Sequence, residues 1–363
     1  MLDNIFTAEP NVLEMYLLQP SIFMKLTILI LAVFTSLLSC AQTTENIMHD
    51  GLNRSYIYYT PSSWSQDQSL PVLFVLHGLL QNASSIMDVT NFNEIAEENN
   101  FIVCYPNGIN TAWNADMNVS ISDADDIGFI ESLREHFQNT LNTNPSKQYL
   151  TGFSNGGFMC HKIICESNQC FAAVASIAGT MSDVVYENCN PQHTPDLLHI
   201  HGTLDTTVPY IGSPLTGVSV DDLLEFWSGY YNCDITPELV SMPNPVLLDL
   251  SFPERYSYTN CNEEELELIK VVGGGHQWPG ILTIWGGVGQ INMDFYSPQI
   301  IWDFLEGKEC PQTTAIADHH ADHKREIVKF IDFTGREVAF ASNQLVIAIY
   351  DDGSRQIMMK STL

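Results

Sequence analysis

Continuous apolar runs, broken by Gly- and Pro-rich turns, dominate the middle of this chain. Pro71-Val72-Leu73-Phe74-Val75-Leu76, Phe101-Ile102-Val103-Cys104-Tyr105, Leu197-Leu198-His199-Ile200 and Leu266-Glu267-Leu268-Ile269-Lys270-Val271-Val272 are the clearest. Such runs predict strands covered on both faces, as in a parallel sheet. Between them lie stretches with helical character: Ile127 to Leu141, Gly157 to Ile164, and a last one holding Trp302-Asp303-Phe304-Leu305. Alternating strands and helices predict an α/β fold, with a mainly parallel central sheet flanked by helices. Past residue 310 the pattern changes. Residues 311–323 read as a polar linker, and 324–363 as a small β-rich C-terminal tail. In that tail Ile327 to Ile331 and Gln344 to Tyr350 alternate, and Asp351-Asp352-Gly353 makes a hairpin turn before Gln356 to Met359.

One junction carries chemistry. Gln148-Tyr149-Leu150-Thr151 is strand-like, Gly157 onward is helix-like, and Gly152-Phe153-Ser154-Asn155-Gly156 joins them. A Ser on a tight strand-to-helix turn has its hydroxyl pushed into the open, and small neighbours are needed because the turn is strained. The N–H of Asn155, at a helix N-terminus, faces any developing oxyanion. The pentapeptide alone is weak, since G-x-S-x-G arises by chance in roughly one chain in ten of this length. Its strand and helix context raises it.

A nucleophilic Ser needs a base and an acid that orients the base, in the chain order Ser, Asp or Glu, His for this kind of turn. Asp205 sits in the loop after Leu197–Ile200, where open α/β sheets place functional groups. His276 follows Val272 in Gly273-Gly274-Gly275-His276-Gln277-Trp278-Pro279-Gly280, a Gly-rich loop expected to let the imidazole swing between acid and nucleophile. The rival acid, Asp196, precedes its strand and falls on the wrong edge of the sheet. A second oxyanion donor is expected after an early central strand. In His77-Gly78-Leu79-Leu80-Gln81-Asn82-Ala83 the N–H of Leu79 is the candidate.

H-G-x-x-Q-N-A, G-x-S-N-G-G, H-G-x-x-D-x-x-V-P-Y and G-G-x-H-x-W-P-G occur here in that order. Together they resemble the secreted polyhydroxybutyrate depolymerase and feruloyl esterase-like family, α/β-hydrolases related to the first carbohydrate esterase family. The resemblance runs over about residues 45 to 310. It implies an α/β-hydrolase fold, Ser154 as nucleophile, Asp205 as acid, His276 as base, Leu79 and Asn155 as oxyanion donors, and no cofactor. Many relatives carry a Cys or a Gly-Gly pair after His-Gly. Here Leu79 and Leu80 stand there, which keeps the backbone donor and excludes a disulfide to that loop.

Other residues have plainer readings. His77 and His201 are expected to be structural, hydrogen-bonding the loops, and His161 to be a surface or packing residue of its helix. Trp278 is evenly balanced between a core aromatic and a wall of the substrate pocket. Trp113, in Asn110-Thr111-Ala112-Trp113-Asn114, matches a family position near the cleft and is a candidate substrate contact. Asp125 and Asp126 are expected to cap the helix that begins at Ile127, although the family's D-D-x-G-F stretch runs near the site.

Composition bears on partners and compartment. A core of roughly 270 residues suffices for one α/β domain. The net charge of −29 argues against nucleic acid and against polyanionic substrates, and favours neutral polymers or esters. Met24-Lys25 opens an apolar segment, Leu26 to Leu38, too short to span a bilayer but suited to a signal peptide. Initiation at Met24 is expected, with residues 1–40 forming an N-terminal extension and signal. Leu37-Leu38-Ser39-Cys40 resembles a bacterial lipobox, so Cys40 is a candidate lipid anchor on an exported protein; an ordinary signal cleaved near Ala41 is the alternative. The tail resembles the C-terminal sorting tails of the type IX secretion system.

Setting Cys40 aside leaves eight cysteines, which allow 105 pairings. One is expected, Cys233 with Cys261, bracketing a Pro-rich segment; Cys104 is expected as a buried thiol. No paired short-spacing motif supports a metal, and Asp318-His319-His320-Ala321-Asp322-His323 reads as solvated linker. The function expected is that of an exported serine esterase acting on a polymer or a polysaccharide decoration. No long insertion reads as a lid, so an open groove is expected. A serine peptidase on the same fold and a surface binding protein with a dead site are the alternatives.

Overall fold

In the computed structural model the described residues are 42–118, 121–282 and 288–311, together with four strands beyond residue 326. Cys40 and the signal segment before it, residues 312–323 of the linker with its histidine-rich stretch, and the Asp351–Gly353 turn lie outside them. The chain divides into two compact units, Met1–Pro311 and Gln312–Leu363.

The first unit is built on a ten-stranded sheet. Its strands are β1 (Gln42–His49), β2 (Leu52–Tyr59), β3 (Val72–Leu76), β4 (Ile102–Pro106), β5 (Gln148–Phe153), β6 (Ala173–Ile177), β7 (Asp196–Gly202), β8 (Glu238–Ser241), β9 (Phe252–Tyr258) and β10 (Leu266–Val272). Their order across the sheet is β1-β2-β4-β3-β5-β6-β7-β10-β9-β8. From β4 to β10 neighbours run parallel, while β1–β2–β4 and β10–β9–β8 pair antiparallel and finish the two edges.

Two apolar layers follow from the two-residue period of a strand. Val72, Phe74 and Leu76 of β3 join one core with Phe129, Leu133 and Phe137 of α3 (Asp126–Leu141). The same core takes Phe158 and Ile163 of α4 (Asn155–Glu166), Val185 of α5 (Asp183–Asn188), and Leu223 and Trp227 of α6 (Val220–Tyr230). Leu73 and Val75 face the other core. There they meet Ile86 of α1 (Ala83–Thr90), Phe92 and Ile95 of α2 (Phe92–Asn99), and Trp302 of α7 (Ser297–Leu305). Trp302 lies stacked on Phe101, with ring centroids 3.6 Å apart.

Of the two aspartates opening α3, only Asp125 caps it, accepting from the Gly128 N–H at 3.0 Å. The cap expectation for Asp126 is corrected. Its carboxylate is buried, takes the Arg54 guanidinium at 2.5 Å and accepts from the Asn114 N–H at 2.7 Å. An unpaired carboxylate at this depth would be costly, and Arg54, itself buried over Phe129, supplies the counter-charge. The pair thereby fixes the loop that carries Trp113.

Among the described residues three disulfides form: Cys233–Cys261 as expected, with Cys165–Cys189 and Cys170–Cys310. Cys104 is a buried free thiol, and so is Cys160. The second unit is an antiparallel sheet in the order β12-β11-β13-β14, made of Ile327–Ile331 (β11), Glu337–Val338 (β12), Leu345–Tyr350 (β13) and Arg355–Met359 (β14). The short β12 was not anticipated.

Candidate active site

β5 ends at Phe153 and α4 starts at Asn155, so Ser154 alone makes the turn. Its φ of 54° and ψ of −121° fall where L-residues pay a steric cost. The neighbours hold it there. The Ser154 N–H donates to the Ile177 carbonyl of β6 at 2.8 Å, and its own carbonyl accepts from Phe158 N–H at 2.9 Å as the helix begins. Gly156 explains the small flanking residues: a Cβ there would lie 2.4 Å from the Leu76 carbonyl oxygen. The elbow is pressed against the end of β3, with no room for a methyl group.

Asp205 lies in the loop after β7 and is buried. Its Oδ1 accepts from the N–H groups of Thr207 at 2.8 Å and Val208 at 2.7 Å, and its Oδ2 accepts from His276 Nδ1 at 2.7 Å. Burial pushes the carboxyl pKa up, but the histidine hydrogen bonds outweigh it and hold the group well below the ordinary carboxylate range. An ionised carboxylate only accepts, so Nδ1 of His276 carries the hydrogen and Nε2 keeps a lone pair.

The loop around His276 is not a free swing. The His276 N–H donates to the Val288 carbonyl at 2.8 Å, the Val288 N–H returns at 3.1 Å, and a Cβ on Gly275 would meet the Val288 oxygen at 2.4 Å. The glycines serve close approach of two backbones rather than mobility. The loop backbone is thus pinned, and the imidazole is held at Nδ1 by Asp205.

Ser154, His276, Leu79, Asn155 and Trp113 line one cleft of about 390 Å³. Most of the remaining wall is apolar, including Met117, Ile121, Phe153, Val208 and Val288, and no Lys or Arg is among the described lining residues. Neither the Leu79 nor the Asn155 N–H has an acceptor among the described residues. The Leu79 loop is held on both sides: Gln81 Oε1 accepts from the Gly78 N–H at 2.8 Å, and Leu80 N–H donates to Thr111 O at 2.8 Å. Asp196 sits at the opposite end of β7, bound to Lys308 at 3.1 Å.

The two tryptophans separate. Trp113 borders the cleft, with its indole N–H on the His77 carbonyl at 2.8 Å. Trp278 is 2% exposed, packs on Phe153 with centroids 5.8 Å apart, and does not line the cleft. The pocket-wall reading of Trp278 gives way to the core-aromatic one, because its ring points into the second apolar layer.

His77 ties loops together as expected, through Gly78 O at 2.8 Å and the Gly108 N–H at 2.9 Å, and burial lowers its pKa to about 4. His161 is a packing residue, wholly buried against Trp227 and His199.

A role the sequence reading missed belongs to the side chain of Asn155. Its Oδ1 accepts from Trp113 N–H at 2.7 Å and its Nδ2 donates to Trp113 O at 3.1 Å, so the amide clamps the Trp113 backbone. Only the Asn between Ser154 and Gly156, longer than the Gly or Ala such a turn tolerates, hinted at it. Asn155→Ala is expected to destabilise the protein by about 1–3 kcal/mol, since two buried backbone groups lose their partners. Denaturant titration reads this, and Asn155→Asp, which sets a buried carboxylate oxygen against the Trp113 carbonyl, is expected to lose at least as much.

Residues 51–227 match the model of an esterase family described as "Putative esterase". The chain is similar to "Feruloyl esterase B" of Piromyces equi, 24% identical over 238 residues, which cover 61% of this chain and 42% of that protein. It is similar also to "Probable feruloyl esterase C" of Aspergillus niger, 26% identical over 176 residues, 47% of this chain and 62% of the relative. It thus spans about half the length of these relatives. Among solved structures, an acetyl xylan esterase from Aspergillus awamori superposes with a TM-score of 0.51 at 14% identity, covering 72% of this chain and 98% of that one. The fold is the α/β-hydrolase fold, and the match to the esterase-family model falls on residues 51–227 of it.

Proposed function

We propose that this protein is an exported serine carboxylic ester hydrolase in which Ser154 is the nucleophile, His276 the base and Asp205 the residue that orients it. The observation that carries the reading is that a strained Ser at a helix start and a carboxylate-bound imidazole line the same cleft. In the mechanism His276 Nε2 takes the Ser154 proton as the hydroxyl oxygen attacks the ester carbonyl. The amides of Leu79 and Asn155 hold the oxyanion, and Asp205 stabilises the imidazolium that forms. His276 then hands the proton to the departing alcohol. Water frees the acyl group by the reverse sequence. No cofactor enters these steps.

A neutral, partly apolar acyl group fits a wall of this composition, whose described residues offer no cation to a charged substrate. Esters decorating a polysaccharide, such as feruloyl or acetyl groups, are the first choice given the names of the similar proteins. Poly-hydroxyalkanoate is the polymer alternative. Three disulfides support an oxidising compartment, hence export. A lipid anchor at Cys40 and a sorting role for the tail belong to the same proposal.

The test is covalent labelling by a fluorophosphonate probe with the labelled peptide mapped, followed by release of ferulate, acetate and hydroxybutyrate from their esters. Labelling at Ser154 with turnover of at least one ester is expected. An unlabelled Ser154 would leave a binding protein with a dead site, and turnover of amides in place of esters would make it a peptidase.

A further inference from the structure

Behind the Asp205–His276 pair lies a second, fully buried pair of histidines that the mechanism above does not use. His201 and His199 both belong to β7 and point to the same face. His201 Nε2 is 2.9 Å from the Val208 carbonyl oxygen. A carbonyl only accepts, so this nitrogen carries its hydrogen. His201 Nδ1 faces His199 Nε2 at 3.1 Å. The other nitrogen of His199, Nδ1, has no partner among the described residues. A hydrogen placed there would be a buried unpaired donor, so His199 carries its hydrogen on Nε2 and donates it to His201. Burial holds the pKa of His199 well below that of a free imidazole, so it stays neutral in this role.

The direction of the chain is therefore fixed, and it ends at the acid. His201 Nε2 also lies 3.4 Å from Asp205 Oδ2, the same oxygen that receives His276 Nδ1 at 2.7 Å. Its hydrogen goes to Val208 O, and the same N–H edge lies beside Asp205 Oδ2. Val208 in turn donates its own N–H to Asp205 Oδ1. One ring thus braces both ends of the 205–208 loop against the strand.

We propose that His201, aimed by His199, is a positioning residue that holds Asp205 against His276 and limits the basicity of Oδ2. The inference rests on the ester-hydrolase reading. Losing the His201 donor leaves Oδ2 more basic and the loop unbraced. A more basic Oδ2 stabilises the His276 imidazolium before catalysis, which keeps the base protonated to higher pH. Other groups face this ring. Asp205 and the edge of Tyr210 approach from the following loop, and His199 from its own strand. Lys270 is its register partner on β10, with its ammonium over Tyr210, and His161 of α4 lies behind His199. None of these donates to Oδ2, whose hydrogen bond comes from His276.

The experiment measures kcat/KM and kcat against pH for a small aryl ester in wild type, His201→Leu and His201→Gln. His201→Leu is expected to lose about tenfold or more in kcat with KM little changed. Its acid limb is expected to move to higher pH by about half a unit to one unit. His201→Gln, whose amide N–H replaces the ring donor, is expected to return the limb toward the wild-type position. A limb unmoved in His201→Leu, whether the rate falls or not, overturns the proposal and leaves a packing residue. If His201→Leu does not fold, His199→Phe decides: it keeps His201 and removes the group that aims it. A smaller shift in the same direction supports the proposal and a wild-type limb overturns it. Wild-type protein that hydrolyses no ester would instead sink the functional reading on which this rests.

Discussion

Ser154→Ala is expected to lower kcat for ester hydrolysis by at least about 10⁴-fold while leaving the thermal midpoint close to that of wild type. The size follows from the division of labour in the site. In the proposed mechanism no acyl-enzyme can form without the hydroxyl, and only the proposed oxyanion donors and binding remain. The fold is insulated from the change because the backbone of residue 154, and not its side chain, makes the local hydrogen bonds to Ile177 and Phe158. A companion variant separates the chemistry from the strain. Ser154→Gly is expected to be equally inactive yet more stable than wild type by about 1 kcal/mol, because φ of 54° with ψ of −121° costs a glycine little. Steady-state kinetics and denaturant titration on the three proteins read both effects. Substantial ester turnover by Ser154→Ala would remove Ser154 from the chemistry. A Gly variant less stable than wild type would show that the turn is not strained.

The parts of this site that were legible in the sequence are those governed by local rules. A parallel strand buried on both faces has to be apolar throughout, so β3, β4, β7 and β10 stood out as runs. A nucleophile elbow needs small residues around one Ser, and the loops after β7 and β10 carry Asp205 and His276 in the required order. Cys233 and Cys261 could be paired because a single segment lies between them. The rest depends on what meets in space. β9 reads Phe252-Pro253-Glu254-Arg255-Tyr256-Ser257-Tyr258, with a Pro and alternating polar residues, so only its pairing between β8 and β10 makes it a strand. Cys170 and Cys310 are 140 residues apart, and nothing local joins them. Asp126 looked like a cap until Arg54, far away in sequence, was found beside it. Trp278 was balanced between two readings for the same reason: its spacing from His276 is compatible with a cleft wall, and only the packing on Phe153 decides. The Gly-rich loop misled in an instructive way, since glycine permits both mobility and close contact, and here it is contact that is used.

Acidification from pH 7.5 to pH 5 is expected to cost this protein several kcal/mol of folding stability through three buried histidines. His77, His161 and His199 are buried, and burial lowers their pKa values, to about 4 for His77, to about 3 for His161 and well below the ordinary value for His199. In the unfolded chain each titrates near 6.5. Between the two values the unfolded state binds more protons than the folded state, so stability is complete above about pH 6.5 and falls as the pH drops. At pH 5 each such group contributes a loss of about 2 kcal/mol, from a separation of roughly 1.5 units at 1.36 kcal/mol per unit. The Asp205 carboxylate acts elsewhere on the scale. Its lowered folded value means its stabilisation is present above about pH 4 and is lost only on falling further, so it adds nothing to the slope between 7.5 and 5. Urea unfolding at the two pH values tests the sum, and a flat midpoint would refute the neutral, buried state of these rings. His161→Leu isolates one of them, since His161 packs on Trp227 and His199. Its stability is expected to fall less steeply with acid than that of wild type, by about 2 kcal/mol over the same interval. The same three rings would make the folded protein depend on near-neutral surroundings, for a reason separate from the proposed role of His276 as base. The two dependences are distinguished by returning an acid-treated sample to pH 7.5: a protonated base recovers at once, whereas an unfolded core recovers only at the rate of refolding.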